Sequence, residues 1–146
     1  MVQEFIVSLE ELDDVVQFLS KLILEKKKPF AILFSGELGS GKTTLIRKLV
    51  LSFIQESSPN SPTYNLMQEY KNNEYHFFHF DLYRVKEKEE LAFLGFDEIW
   101  EKNGISLVEW WEIASDYFSE DSILIQIEVL EEKRRIFIGR KNDFKH

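Results

Sequence analysis

From Phe30 to Arg47 the chain reads FAILFSGELGSGKTTLIR, and Gly36, Gly41, Lys42 and Thr43 satisfy G-x-x-x-x-G-K-[ST] without forcing any position. An apolar run, Phe30 to Phe34, precedes this stretch as a buried strand does. A segment with helical apolar spacing, Thr44 to Ile54, follows it. A strand that turns abruptly into a helix leaves backbone N–H groups without intrahelical partners, and such groups cradle anions. Glycines at 36, 39 and 41 allow close backbone approach, Lys42 adds a cation and Thr43 a hydroxyl, so the stretch predicts a nucleotide phosphate site with Mg²⁺ beside it. The other reading, a glycine-rich turn that binds nothing, leaves the agreement of both flanks unexplained.

The rest of the chain must build a sheet around that loop. With 146 residues it is expected to form a single domain, 1–146, large enough for an α/β sheet with helices on both faces. There is no cysteine, which removes disulfides and thiolate metal sites and fits a reducing cytoplasm. The start, MVQEFIVSLEEL, is acidic where a signal peptide is basic, and no apolar run reaches membrane-spanning length; the expectation is a cytoplasmic protein with no membrane contact. The net charge of −8 opposes independent binding to nucleic acid. Two basic runs stand against it: Lys26 to Lys28, and Lys133, Arg134, Arg135, Arg140, Lys141 and Lys145 near the C-terminus. Most of these are read as solvated helix-end or terminal charge.

In chain order, Gln3 to Val7 reads as a strand, and Ser8-Leu-Glu-Glu11 as a capping box starting a helix whose Leu12, Val15, Val16, Leu19, Leu22 and Ile23 share a face. Gln55 to Pro62 has loop composition. NLMQEY and EYHFFHFDLY read as strands around a Lys71–Glu74 turn. Lys86 to Leu94, Phe96 to Lys102 and Trp111 to Phe118 read as helices, Ile105 to Val108 as a short strand, and Ile123–Leu130 with Arg135–Gly139 as a terminal hairpin extending the sheet at an edge. Asp81 and Glu109 each close an apolar strand. A carboxylate there, beside a phosphate loop, handles Mg²⁺ or an attacking water, although an isolated strand-end acid is more commonly just hydrated. Thr63, after Pro62, is either a switch-loop residue sensing the outer phosphate or a turn cap. His76 and His79, three apart on one strand, face opposite sides, which argues against a shared metal. Tyr83 and Trp110 stand out among aromatics otherwise read as core, because each follows one of the two acids.

Taken together, GELGSGKTT, SPTYNLMQEY, HFDLYR, EELAFLGFDEIW and ISLVEWWE, in this order between Phe34 and Glu112, resemble the bacterial TsaE proteins, also called YjeE, of the tRNA threonylcarbamoyladenosine pathway. The resemblance implies a P-loop NTPase-like three-layer fold: a central mixed, mainly parallel sheet, helices on both faces and a C-terminal hairpin. It implies ATP/ADP and Mg²⁺ as ligands, TsaD and TsaB as partners, and contact with tRNA only indirectly through them. By position, Gly36, Glu37, Leu38, Gly39, Ser40, Gly41, Lys42, Thr43 and Thr44 would bind phosphate. Trp110 would lie beside the site, with Arg134 or Arg135 reaching the nucleotide. Thr43, Glu109 and Asp81 would serve the Mg²⁺, Asp81 as the Walker-B-like acid near the attacking water, with Lys42, Thr63 and Glu109 beside it in catalysis; Thr63 would be the switch residue, and Ser8 to Leu12 would approach adenine. The chain departs from the family pattern at Ser40, Tyr64 and Trp111, where Ala, Phe and Pro are usual, and Trp111 leaves the backbone course after Glu109 without the φ restraint of proline.

The resemblance implies a slow ATPase, gated by partners. Against it stand a small-molecule or nucleoside kinase using Asp81 as acceptor base, a GTPase, for which no N-K-x-D run is present, and a subunit that merely holds nucleotide.

Overall fold

The computed structural model describes residues 2–55 and 66–144. Seven strands form one sheet in the order β1-β7-β6-β2-β5-β4-β3. They are β1 (Gln3–Val7), β2 (Phe30–Ser35), β3 (Met67–Lys71), β4 (His76–Asp81), β5 (Ile105–Glu109), β6 (Ile123–Leu130) and β7 (Lys133–Arg140). β6, β2, β5 and β4 run parallel through the centre, and antiparallel strands flank them. This is the mixed sheet with a parallel core expected from the sequence. The apolar runs of β2 and β5 are buried along their whole length, as strands covered on both faces must be, save for a partly exposed Ser35.

Two apolar layers sandwich the sheet. On one face, α1 (Asp13–Glu25) and α2 (Lys42–Phe53) bury Leu19, Ile23, Leu45 and Leu49 against Ile32, Phe34, Phe77 and Leu107. On the other, α3 (Glu89–Phe93) and short 3-10 turns carry Leu91, Phe96, Trp100 and Trp111 onto Leu33, Phe80 and Val108. Strand alternation therefore sends Phe77, His79 and Asp81 to the α2 side and Phe78 and Phe80 to the other.

Several local expectations are corrected. Ser8 and Glu11 do not cap α1: the Ser8 hydroxyl donates to Glu11 Oε1 (3.0 Å) and the Glu11 N–H to Ser8 O, closing a turn of their own. The helix begins at Asp13, its dipole met by Asp13 and Asp14 instead. The helix expected from Lys86 contracts to the five residues Glu89–Phe93, of which only Leu91 is buried. Trp111–Tyr117 is 3-10 rather than α, interrupted at Ala114. The β6–β7 hairpin is not the sheet edge, since β1 pairs antiparallel with β7 and takes that position. Among the described residues no helix is long and apolar enough to cross a membrane.

Gly104, at φ +60°, closes the turn that leads into β5. A Cβ there would lie 2.6 Å from His76 O and 3.0 Å from the Phe78 ring. Gly104→Ala is expected to cost about 2 kcal/mol through backbone strain and overpacking together, read as a lower urea midpoint with an unchanged slope.

Candidate functional site

The loop from Gly36 to Gly41 leaves the C-terminal end of β2 and enters α2 through Gly41, which takes φ +115°; Gly39 takes φ +81°. Any side chain at 41 is doubly opposed, because a Cβ would also meet Leu9 Cδ2 at 2.6 Å. The loop is braced from two sides. Ser40 N–H donates to Glu37 O, and Arg134 on β7 donates from Nε to Ser40 O (2.8 Å). The Ser40 side chain turns inward, fully buried, with its Oγ 2.5 Å from where a Gly36 Cβ would stand.

Lys42, the first residue of α2, is buried, and its Nζ donates to Gly36 O (2.6 Å) while lying 3.6 Å from the centre of the Trp110 ring. Burial pulls its ammonium below the usual lysine range, opposed by the charges of Glu109, Glu112 and Asp81. Trp110 itself stands in the left-handed region (φ +56°), which turns the chain sharply at the end of β5, and its ring meets Tyr83 at 4.9 Å between centroids. Trp111 has a role that φ restraint alone does not describe. Its Nε1 donates to Ser35 Oγ (2.8 Å), which donates on to Glu112 Oε2 (3.3 Å), tying the turn to the end of β2 by hydrogen bonds.

Asp81 and Glu109 are register partners at the ends of the adjacent parallel strands β4 and β5. Glu109 is buried. Thr43 Oγ1 donates toward both of its oxygens, 3.2 Å from Oε1 and 3.0 Å from Oε2. Asp81 Oδ1 accepts from the Tyr83 N–H (3.1 Å). Burial holds the Asp81 carboxyl above the ordinary carboxylate range; the Tyr83 hydrogen bond pulls it back, and the Glu109 charge pushes it further up.

These groups converge on a cavity of about 310 Å³ lined by Leu9, Leu38, Gly39, Gly41 to Thr44, Asp81, Tyr83, Glu109 and Trp110. Of the residues expected from the sequence, the structure brings together the loop, Asp81, Glu109 and Trp110, with Arg134 behind the loop. Leu9 is the member of the Ser8–Leu12 segment in the cavity wall. Arg135 is placed elsewhere: strand alternation turns it to the opposite face of β7, where it pairs with Glu4 (3.3 Å) and Glu128 (3.9 Å). Thr63 and Tyr64 lie outside the described residues.

The residues suit a phosphate chain with a hard divalent cation. Glycines shape the cradle, a buried ammonium faces it, and the available ligands are a hydroxyl and carboxylates, all oxygen. Among the described residues no three His, Cys, Asp or Glu side chains form a metal-holding group of their own.

Sequence reasoning missed His79, which it considered only as a partner for His76. The two do part company: His76 pairs with Glu69 across the β3–β4 hairpin, while His79 Nε2 lies 2.7 Å from Glu109 Oε2. The signal was present in the i, i+2 spacing from His79 to Asp81, which puts both on one face of β4.

The family model for threonylcarbamoyl adenosine biosynthesis protein TsaE matches residues 6–137. Relatives that carry the name tRNA threonylcarbamoyladenosine biosynthesis protein TsaE include one from Rickettsia felis, 41% identical over 81% of this chain and 70% of its own length. Another, from Haemophilus influenzae, is 36% identical over 79% and 73%. That from Aquifex aeolicus is 33% identical over 92% and 96%. The crystal structure of YdiB from Bacillus subtilis superposes with a TM-score of 0.71 over 98% of this chain and 89% of that one; at 22% identity it shows a shared fold.

Proposed function

Because the chain belongs to the TsaE family of threonylcarbamoyl adenosine biosynthesis proteins, we propose that it is a single-domain P-loop ATPase of tRNA modification. On this reading it binds Mg-ATP, hydrolyses it slowly, and supports threonylcarbamoylation of adenosine 37 as a nucleotide-gated switch for TsaD and TsaB. The observation that carries it is the convergence of Lys42, Thr43, Asp81 and Glu109 on one cavity at the C-terminal ends of parallel strands, the place where open α/β sheets bind ligands.

The division of labour follows from position. The backbone N–H groups of Gly39 and of Gly41 to Thr44 hold phosphate oxygens, that of Ser40 being taken by Glu37 O, and Lys42 turns from Gly36 O and the Trp110 ring to the outer phosphates. Thr43 and Glu109, already in contact, hold Mg²⁺, which when bound neutralises charge on the phosphates. Asp81, half-buried and reluctant to ionise, orients the attacking water and accepts its proton. Arg134 steadies the loop through Ser40 O, Leu9 packs beside the nucleoside, and Thr63 serves as the residue that senses the outer phosphate. TsaD, rather than this chain, performs the transfer, and the tRNA is met through the partners. A cytoplasmic location follows from that assembly.

Phosphate release from ATP by the purified chain, alone and with TsaD and TsaB from the same organism, tests this. The expected result is little turnover alone and at least roughly tenfold stimulation by the partners, about 1.4 kcal/mol in the barrier. Phosphate transfer to an added hydroxyl acceptor, with no partner effect, would favour the kinase reading and overturn this one.

A further inference from the structure

His79 does not itself line the cavity, yet it touches the wall through Glu109 and is among the most enclosed polar side chains of the described residues. Its side chain is 2% exposed and that of its partner Glu109 is 4% exposed. A buried carboxylate left without hydrogen-bond donors is costly, so its partners fix where it points. Thr43 supplies one, but its single proton faces both carboxylate oxygens at nearly equal distance, 3.0 and 3.2 Å, and so does not select between them. His79 does select. Its Nε2 hydrogen-bonds Oε2 at 2.7 Å, and it is carried on β4, directly paired with the strand that bears Glu109.

We propose that His79 is a positioning residue: its Nε2–H holds Glu109 Oε2, fixing the carboxylate so that Oε1 is presented with Thr43 Oγ1 to the divalent cation. The inference rests on the reading of Glu109 and Thr43 as cation ligands. Both carriers are central strands of a rigid sheet, so the orientation exists before any ligand arrives. Without His79 the carboxylate keeps only the indifferent contact to Thr43 and loses its preferred rotamer. Outer hydrogen bonds of this kind are typically worth 10- to 100-fold in metal affinity.

The test is a titration of Mn²⁺ into the complex of the full chain with ADP, followed by electron paramagnetic resonance of free and bound metal. His79→Leu is expected to weaken Mn²⁺ about 10- to 100-fold while leaving metal-free ADP binding as in the wild type. His79→Gln, whose amide N–H reaches the Nε2 position, recovers most of the affinity, and His79→Asn, which reaches only the Nδ1 position, does not. Thermal midpoints separate packing from positioning, since Gln and Asn are both polar, buried replacements. Wild-type Mn²⁺ affinity in His79→Leu, or a Gln variant no better than Asn, overturns the inference. Glu109→Gln in the same titration keeps the two readings apart. If it too binds Mn²⁺ normally, the cation-ligand assignment falls along with this inference; if it alone loses the metal, only the role of His79 falls.

Discussion

Lys42→Met is expected to weaken ATP and ADP binding about 100-fold or more without lowering the thermal midpoint of the free protein. In the free protein the ammonium is committed to Gly36 O and to the face of Trp110. On the proposed function the same protons would meet phosphate oxygens in a nucleotide complex, and losing two charge-assisted hydrogen bonds at about 1.5 kcal/mol each accounts for roughly two decades of affinity. The stability side has the opposite sign. Burial lowers the pKa of Lys42 in the folded state, so the stabilisation linked to its neutral form is present above the ordinary lysine pKa of 10.5 and is lost as pH falls through the lowered value. At neutral pH the wild type is therefore charged at a cost, and methionine, of similar length, removes that cost while keeping contact with Trp110. Calorimetric titration with ADP and thermal melts at pH 7 read the two effects separately. A midpoint several degrees lower would show that the ammonium is a net structural asset.

Asp81→Asn is expected to reduce hydrolysis about 100- to 10,000-fold, the range a positioned general base contributes, while nucleotide affinity changes little. The amide keeps an oxygen for the Tyr83 N–H but cannot accept a proton from water. It also predicts a gain in stability with a defined pH dependence. The folded-state pKa of Asp81 is raised, so the associated stabilisation is complete below the unfolded value of 3.8 and is lost as pH rises through the folded value. The asparagine variant should thus melt higher than the wild type at pH 7, and the two should converge at and below about pH 4. Equal melting at every pH would remove the electrostatic argument for Asp81 as a base, and unchanged phosphate release would remove Asp81 from catalysis altogether.

If both variants exchange function for stability as expected, the loop and its facing acids belong among sites where folding energy is given up for chemistry. The left-handed backbone of Trp110 belongs to the same group. A tryptophan in that region costs of order 1–3 kcal/mol, and the turn it makes is what sets its ring over Lys42.

The phosphate loop was legible because its chemistry is local: the glycines, Lys42 and Thr43 need only one strand and one helix to be assembled, and both announce themselves by apolar period. The candidacy of Asp81 and Glu109 was legible for the same reason, since each ends a short apolar strand. Local signals failed where two of them competed. Ser8 and Glu11 match a capping box, yet their side chains satisfy each other a turn before the helix, because the buried Leu12 has to enter the core first. Phe96 to Lys102 reads as a short helix and Trp111 to Phe118 as a helix, but large side chains packing on one sheet face need only short 3-10 turns to deliver them.

By itself, then, the sequence determined the α/β class, the strand–loop–helix with its glycines and lysine, and the two acids as candidates at strand ends, all of which depend on residues within about one turn or one strand of each other. Only the tertiary structure decided that β4 and β5 are neighbours, and with that pairing came the register of Asp81 with Glu109 and the hidden contact from His79. It also decided that Arg134 and not Arg135 reaches the loop, and that Leu9 and Trp110 close the cavity from opposite ends of the chain. The reason is the same in each case. Strand order and facing are set by which apolar surfaces bury one another across the sheet, a long-range choice that spacing along the chain does not encode.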